Sequence, residues 1–314
     1  MLKYALYRLC LAVPLLFLLS ILTFVYIQII PGDPVAGMLG PGGTPALVAQ
    51  LRHELGLDQS LPSQYWHWLS NLFAHGDLGI SFITRQPITP VLMDRIPATL
   101  QLTVTGLIFT VALGWLGGFL AGAFKDTWAD RMLSGITLVG LSTPVFWIGT
   151  ILILVFAVHL RWLPAGGYVP LAVDPVQSIK DSLMPGFAMG LGLAPYLARM
   201  TRAATVEVQH EPFLRHARAK GLRGRTMLLR YAARNAVPST IVVIGLQLGA
   251  LIGGQVVVEQ LFNWPGLSRL LIEGAVQRDY YMVQAVILVI AVLYVVLNLA
   301  AELAHAALDP RIRL

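Results

Sequence analysis

The sequence predicts an all-α polytopic membrane protein with six transmembrane helices. Composition and one recurring pattern carry that prediction. Of 314 residues, 56% are hydrophobic and only 12% are charged, against about 25% charged residues in a soluble globular domain. Apolar runs of about 20 residues recur along the whole chain, the length a helix needs to cross ~30 Å of hydrocarbon. Helix is required, because lipid offers no partner to free backbone groups.

The first span covers roughly 9–30, after Lys3 and Arg8. It is too long for a signal-peptide core and no small-residue cleavage site follows, so it reads as a retained helix. Cys10, the single cysteine, falls inside it as a small packing residue; no disulfide within the chain is possible. The segment 31–97 is more than a linker. It holds P-G-D-P at 31–34, a Gly/Pro-rich turn at 40–45 and a helical pattern from Pro45 to Leu55. Tyr65, Trp66, Trp68 and Leu72 follow at helical spacing. Such a set fits the membrane interface or the packing of a small exterior cap; ligand binding is the alternative. The remaining spans are expected at roughly 98–124, 132–160, 182–204, 238–261 and 284–306. Pro14, Pro144, Pro185 and Pro195 lie within spans and are expected to kink them or mark starts. No internal repeat, low-complexity tract or heptad array interrupts this order.

Six spans put both termini on one side. That side then carries 15 of the 22 Lys and Arg residues, including those of the 205–237 loop, and the other carries 7. The basic side is expected to be cytoplasmic. The net charge of +6 is explained by this topology, since the basic residues sit in loops beside apolar spans. Nucleic acid is therefore not an expected partner.

The spans lack ionisable residues at mid-membrane depth. None falls between Leu9 and Ile30 or between Ala98 and Phe124; His159, Arg199, Arg202, Glu259 and Glu302 sit near span ends. An ion-coupled carrier usually needs a mid-membrane carboxylate or a broken-helix ion site, so the energy source is expected outside the chain. Ser142, Gln247 and Asn298 are the neutral polar residues proposed to line a path; interhelical hydrogen bonding remains the alternative for each. There is no P-loop and no dinucleotide fingerprint. The Gly pairs at 117–118, 166–167 and 253–254 fit close helix packing where they lie within spans. His53, His67 and His75 match no common zinc spacing, so no metal site is expected. No Ser or Cys nucleophile pairs with a base, and an enzyme is not indicated.

Charge is instead concentrated between Glu207 and Pro238. Glu211-Pro212 fits a helix start, because proline suits the first helical position, and Gly221 fits a stop. The helix between them has Ala217 and Gly221 four apart, a small face open to close approach, with Arg215, Arg218 and Lys220 around it. A short basic helix of this kind suits a cleft on an acidic-rimmed partner; a loop that is basic only for topology remains the alternative.

A-R-A-K-G-L at 217–222 followed by R-Y-A-A-R-N-A at 230–236 resembles the E-A-A-x-x-x-G loop of bacterial ABC importer permeases, most of all the peptide/nickel subfamily of binding-protein-dependent permeases. Further pieces resemble the same subfamily: P-G-D-P at 31–34, L-G-L-D-Q at 55–59, G-D-L-G-I-S-F at 76–82 and P-A-T-L at 97–100. So do S-T-P-V-F-W at 142–147, W-L-P-A-G-G-Y at 162–168, F-N-W-P-G-L at 262–267, R-D-Y at 278–280 and A-L-D-P-R-I-R at 307–313. The pieces occur in order over nearly the whole chain. Arg215 and His216 stand where the consensus has Glu and Ala, and Pro238 falls slightly early after Gly221 for the subfamily.

This resemblance implies a type I ABC importer permease fold in a bacterial inner membrane, with both termini cytoplasmic. Residues 98–306 would be the permease core with its coupling loop at 205–237, residues 1–97 an N-terminal addition, and 307–314 a cytoplasmic tail. The coupling helix at 211–221 would dock on an ATPase through Glu211, Phe213, Leu214, Arg215, Ala217, Arg218, Ala219, Lys220, Gly221 and Leu222. The implied partners are a second homologous permease, two cytoplasmic ABC ATPases that carry the ATP and Mg, and a periplasmic or lipid-anchored binding protein. The chain itself would hold no cofactor. The implied cargo is a dipeptide or oligopeptide, with nickel or a metal chelate as the alternative; an ion-coupled secondary carrier is the rival from another class.

Overall fold

The computed structural model describes residues 2–29, 35, 44–54, 56–222 and 224–308. The P-G-D-P motif, most of the 40–45 turn, Leu55 and the end of the tail from 309 on lie outside the described residues. The helices, in order, are α1 (Leu2–Ile29), α2 (Pro45–Glu54), α3 (Leu61–His75), α4 (Ile88–Ala123), α5 (Trp128–Ser142), α6 (Val145–Leu152), α7 (Pro175–His210), α8 (Pro212–Ala219), α9 (Ala233–Leu261), α10 (Leu267–Gln277) and α11 (Tyr280–Leu308). A π-helical stretch, Ile153–His159, continues α6, and another, Met227–Ala232, leads into α9. Among the described residues the only extended pairing outside named strands is a bridge between Ile80 and Pro87.

Among the described residues, four stretches are long and apolar enough to cross a membrane: Leu6–Tyr26, Ile88–Ala123, Val243–Leu261 and Tyr280–Leu303. A fifth is the α5–α6 pair, bent by 102°. The expected continuous span 132–160 is broken at Thr143 and Pro144, where extended backbone interrupts the helix and Pro144 caps α6. Pro97, Pro185 and Pro195 by contrast lie inside helices that run on. The remaining expected span, 182–204, fourth in order, lies within α7. That helix is long but not apolar, because its 36 residues are rich in Gly, Ala, Thr and Ser and carry Arg199 and Arg202.

The chain divides into two compact units, one formed by 1–6, 98–265 and 294–314, the other by 7–97 and 266–293. In the first, α7 is the element around which α4, α5, α6 and α9 pack. Small residues allow this. A Cβ on Gly114 would lie 2.8 Å from the Ala194 carbonyl oxygen, one on Gly122 2.7 Å from Thr205 Cβ, and one on Gly118 would collide with the Ala198 carbonyl. Gly186 and Gly190 on α7 meet Thr105 and Phe109 of α4 in the same way. In lipid, where apolar burial gives helices little reason to associate, such close backbone approach is a main source of packing energy. Gly117, Gly253 and Gly254 meet nothing within 4 Å, so close packing within this chain accounts for only one residue of those two pairs.

Three of the sequence motifs converge in this unit on one side chain. Trp264 of F-N-W-P-G-L is fully buried and its indole donates to the carbonyl of Ala98 in P-A-T-L at 2.9 Å. Tyr168 of W-L-P-A-G-G-Y meets the same indole edge-on at 4.9 Å. Gly167 donates to the Phe262 carbonyl at 3.0 Å, and Gly166 lies so close to that carbonyl that a side chain would not fit.

In the second unit, Leu78, Ile88, Leu92, Leu267, Leu270, Met282 and Val286 form the core. Asp279 of R-D-Y is buried there and accepts from Ser81 Oγ and from the Phe82 amide at 3.3 Å, joining R-D-Y to G-D-L-G-I-S-F across 198 residues. It also accepts from the Met282 amide at 3.3 Å, so the same carboxylate caps the N-terminus of α11. Tyr65 of α3 lies against α1 through Phe17, Ser20 and Phe24.

Candidate functional site

The basic loop expected over 205–237 is mostly helix. α7 runs on to His210 and α9 starts at Ala233, five residues before Pro238. Glu211 alone separates α7 from α8: its backbone is extended (φ −63°, ψ 141°) and its amide donates to the Val208 carbonyl. Pro212 then opens α8 at the first helical position, where a missing N–H is harmless. The helix expected over 211–221 is therefore Pro212–Ala219. Gly221 lies beyond it with φ +76° and open space where a Cβ would stand. Its conformation, not its size, ends the helix. For the same reason Ala217 and Gly221 do not share one helical face.

Among the described side chains of α8, Leu214 is the buried one. Leu214 is 5% exposed and packs with Phe119, Met227 and Ala232. Trp115 stacks on Phe119 at 5.3 Å beside it. Glu211, Phe213, His216, Ala219, Lys220, Gly221 and Leu222 are exposed. The side chains of Arg215, Ala217 and Arg218 lie outside the described residues. So of the residues expected to face a partner, Leu214 faces inward instead, because it is the apolar residue that the preceding Pro212 turn points at the α4 end.

The base of α7 carries two further ties. Gln209 donates to the Gly122 carbonyl at 2.8 Å, joining the ends of α7 and α4. Arg202 grips Asp130 of α5 with Nε and Nη2, both at 2.7 Å. Asp130 is 4% exposed and also accepts from the Asp126 amide at 3.0 Å and Ser134 Oγ at 3.3 Å. A two-toothed Arg–carboxylate contact fixes direction as well as distance. Sequence reasoning counted Arg202 for topology and passed over Asp130. The available signal was an acid in the first turn of an apolar helix, with no basic residue at helical spacing to satisfy it.

The three expected path residues differ in their hydrogen bonding. Ser142 donates to the Leu138 carbonyl and Asn298 to Glu302, each one turn away in its own helix. Gln247 is 5% exposed, and neither its Oε1 nor its Nε2 has a hydrogen-bond partner. One face of α9 continues from it through Leu251 to Gln255, which is fully buried and donates to Thr103 Oγ1 at 2.5 Å. Among the described residues no three His, Cys, Asp or Glu side chains are grouped to hold a metal. His53 instead bonds Asp58 at 2.6 Å, and that bond holds the Asp58 carboxyl below its usual range.

Residues 114–314 match the family described as binding-protein-dependent transport system inner membrane component. The chain belongs to this family. Residues 1–103 match its companion, the N-terminal part of such membrane components. This permease is 38% identical over 313 residues to the glutathione transport system permease protein GsiC of Escherichia coli, covering 100% of this chain and 99% of that one. GsiC of Shigella flexneri matches with the same identity and coverage. Among solved structures, the MetNI methionine ABC transporter in an inward-facing conformation superposes with a TM-score of 0.58 at 17% identity, covering 70% of this chain and 96% of that chain. The fold is thus that of a type I ABC importer permease, as the motifs implied. The protein is a multi-pass inner-membrane transport subunit and not an enzyme. Permeases of this kind work with ATPase and substrate-binding partners.

Proposed function

We propose that this permease carries short peptides inward and that α8 receives the force that drives them. The observation that carries the second part is the mounting of α8. It is joined to α7 through a single extended residue, plugged at Leu214, and exposed at its other described side chains. Motion of such a helix is delivered to α7, and from α7 to α5 through Arg202–Asp130 and to α4 through Gln209 and the glycine seam. ATP can favour one transport state only by a differential interaction with it, and α8 is the element through which that difference enters.

In this reading two cytoplasmic ATPases hold ATP and Mg and seat α8 in a groove, so α8 and both termini are cytoplasmic. Phe213 of α8 and Lys220 and Leu222 just past it face the ATPase, with Arg215, Ala217 and Arg218 also on α8. A second homologous permease completes the pore, and a periplasmic or lipid-anchored binding protein delivers cargo. Residues 98–306 act as the core, 1–97 as the N-terminal addition and 307–314 as the tail. Gln247 belongs to the path in preference to Ser142 and Asn298, since among the described residues neither of its buried amide atoms finds a hydrogen-bond partner. The relatives named for glutathione, itself a tripeptide, support short peptides over nickel or a metal chelate.

Vesicles containing the permease pair, its ATPases and binding protein provide the test. Uptake of radiolabelled glutathione or other short peptides that requires both ATP and the binding protein is the expected result. ATP-dependent uptake of nickel with no competition by peptides would overturn the cargo. Failure of a cysteine at Lys220 to cross-link to either ATPase in the intact complex would overturn the role of α8.

A further inference from the structure

We propose that α3 lies along the bilayer with its Trp66–Phe73 edge sunk among lipid acyl chains, so that the ligand of this surface is the membrane. The inference rests on α1 as a membrane span and is independent of cargo and of α8. The apolar stretch Leu6–Tyr26 has 21 residues, about 31 Å as helix, which matches the hydrocarbon thickness of ~30 Å. Tyr65 meets α1 inside that stretch. Its ring lies 6.2 Å from Phe17 and 5.4 Å from Phe24, and its hydroxyl is 2.8 Å from Ser20 Oγ. Ser20 is six residues before Tyr26, about 9 Å inside the apolar boundary at 1.5 Å per residue. At that level α1 itself exposes Leu18 and Leu22 by 54% and 56%, so hydrocarbon surrounds the contact. A phenol hydroxyl there needs a partner from the protein, and Ser20, 3% exposed, supplies it. A helix held to a span at this depth does not stand off in water as an exterior cap.

The rest of α3 is built for the boundary. At about 100° per residue, Tyr65, Leu69 and Leu72 form the middle of an apolar arc, and Leu69 is 7% exposed. Trp66 and Phe73, two turns apart on one edge of that arc, are 62% and 82% exposed. Ser63, His67 and Ser70 occupy the opposite side and are exposed. One buried strip, one bare aromatic edge and one polar face together describe an interfacial helix, and a Trp at the water boundary is favoured there.

Nitroxide labels test this in the intact transporter in lipid nanodiscs, on a Cys10→Ser background. Trp66→Cys and Phe73→Cys labels are expected to relax with dissolved oxygen several-fold more than with a water-soluble nickel chelate. Ser63→Cys and Ser70→Cys labels are expected to show the reverse. Equal access of the nickel chelate to all four positions would overturn the proposal and leave the aromatic edge as a surface for a soluble protein. Where a label prevents assembly, quenching by brominated lipids decides the same point: wild type should lose more tryptophan emission than Trp66→Phe, and identical losses would count against the immersed edge.

Discussion

α7 and α8 are neighbours in sequence, separated only by Glu211, and they are built on opposite rules. α7 buries small residues on nearly every side, so its neighbours lock against its backbone. α8 buries one leucine and leaves most of its described side chains exposed. A long element held by many short-range contacts moves as a body. A short one held by a single plug can adjust to whatever it touches while still passing displacement on. Stiffness and adaptability are thus assigned to adjacent segments, with proline at the boundary.

The largest effect should come from breaking the stiff side. Gly118→Leu puts a side chain where the Ala198 carbonyl stands, and the expected result is loss of folded, monodisperse protein in size-exclusion chromatography. Gly118→Ala should give material with a lowered melting temperature, since overpacking costs about 1–3 kcal/mol. On the adaptable side, Gly221→Asp should abolish transport while leaving the amount of membrane protein unchanged, because it adds charge and a left-handed penalty of about 1–2 kcal/mol at the end of α8. Substrate-stimulated ATPase at the wild-type rate in that variant would erase the proposed contrast. Leu214→Ala removes the plug. A cost of roughly 2–3 kcal/mol, the low end for a buried leucine, should appear as faster protease cleavage near 211–222 with cuts elsewhere unchanged. Asp130→Asn keeps the shape of the α5–α7 tie and removes its charge, a loss of roughly 1.5–3 kcal/mol softened because Arg202 is partly exposed. Its expected signature is more ATP hydrolysed per peptide carried. Lys220→Ala, exposed and past the helix, should change transport least.

Local punctuation was readable in the sequence. Pro45, Pro144, Pro212 and Gly221 mark the boundaries expected of them, because proline and glycine act through their own backbone. The expected span at 182–204 falls in a helix, α7, that is not among those apolar enough to cross a membrane, since a helix enclosed by other helices is selected for small volume more than for apolarity. The long-range joints were not legible. Arg202–Asp130, Trp264–Ala98 and Asp279–Ser81 pair residues 72, 166 and 198 positions apart, and no periodicity in one chain encodes such partners. The motifs signalled that 97–100, 162–168 and 262–267 mattered; only the fold reveals that they meet on one indole. The inward turn of Leu214 was missed because basic charge drew the eye to the exposed side of the same helix.

The right-angle turn at Pro144 gives the span it interrupts two allegiances. α5 is bound to α7 through Asp130, whereas α6 rests its Gly149 against Leu261 and Phe262 at the far end of α9. Both limbs also lie against α7, the first where its Gly140 meets Pro195 and the second where its Val145 meets Gly192. One stretch of polypeptide is thus moored at three places: the carboxylate that Arg202 grips, the flank of α7 and the end of α9.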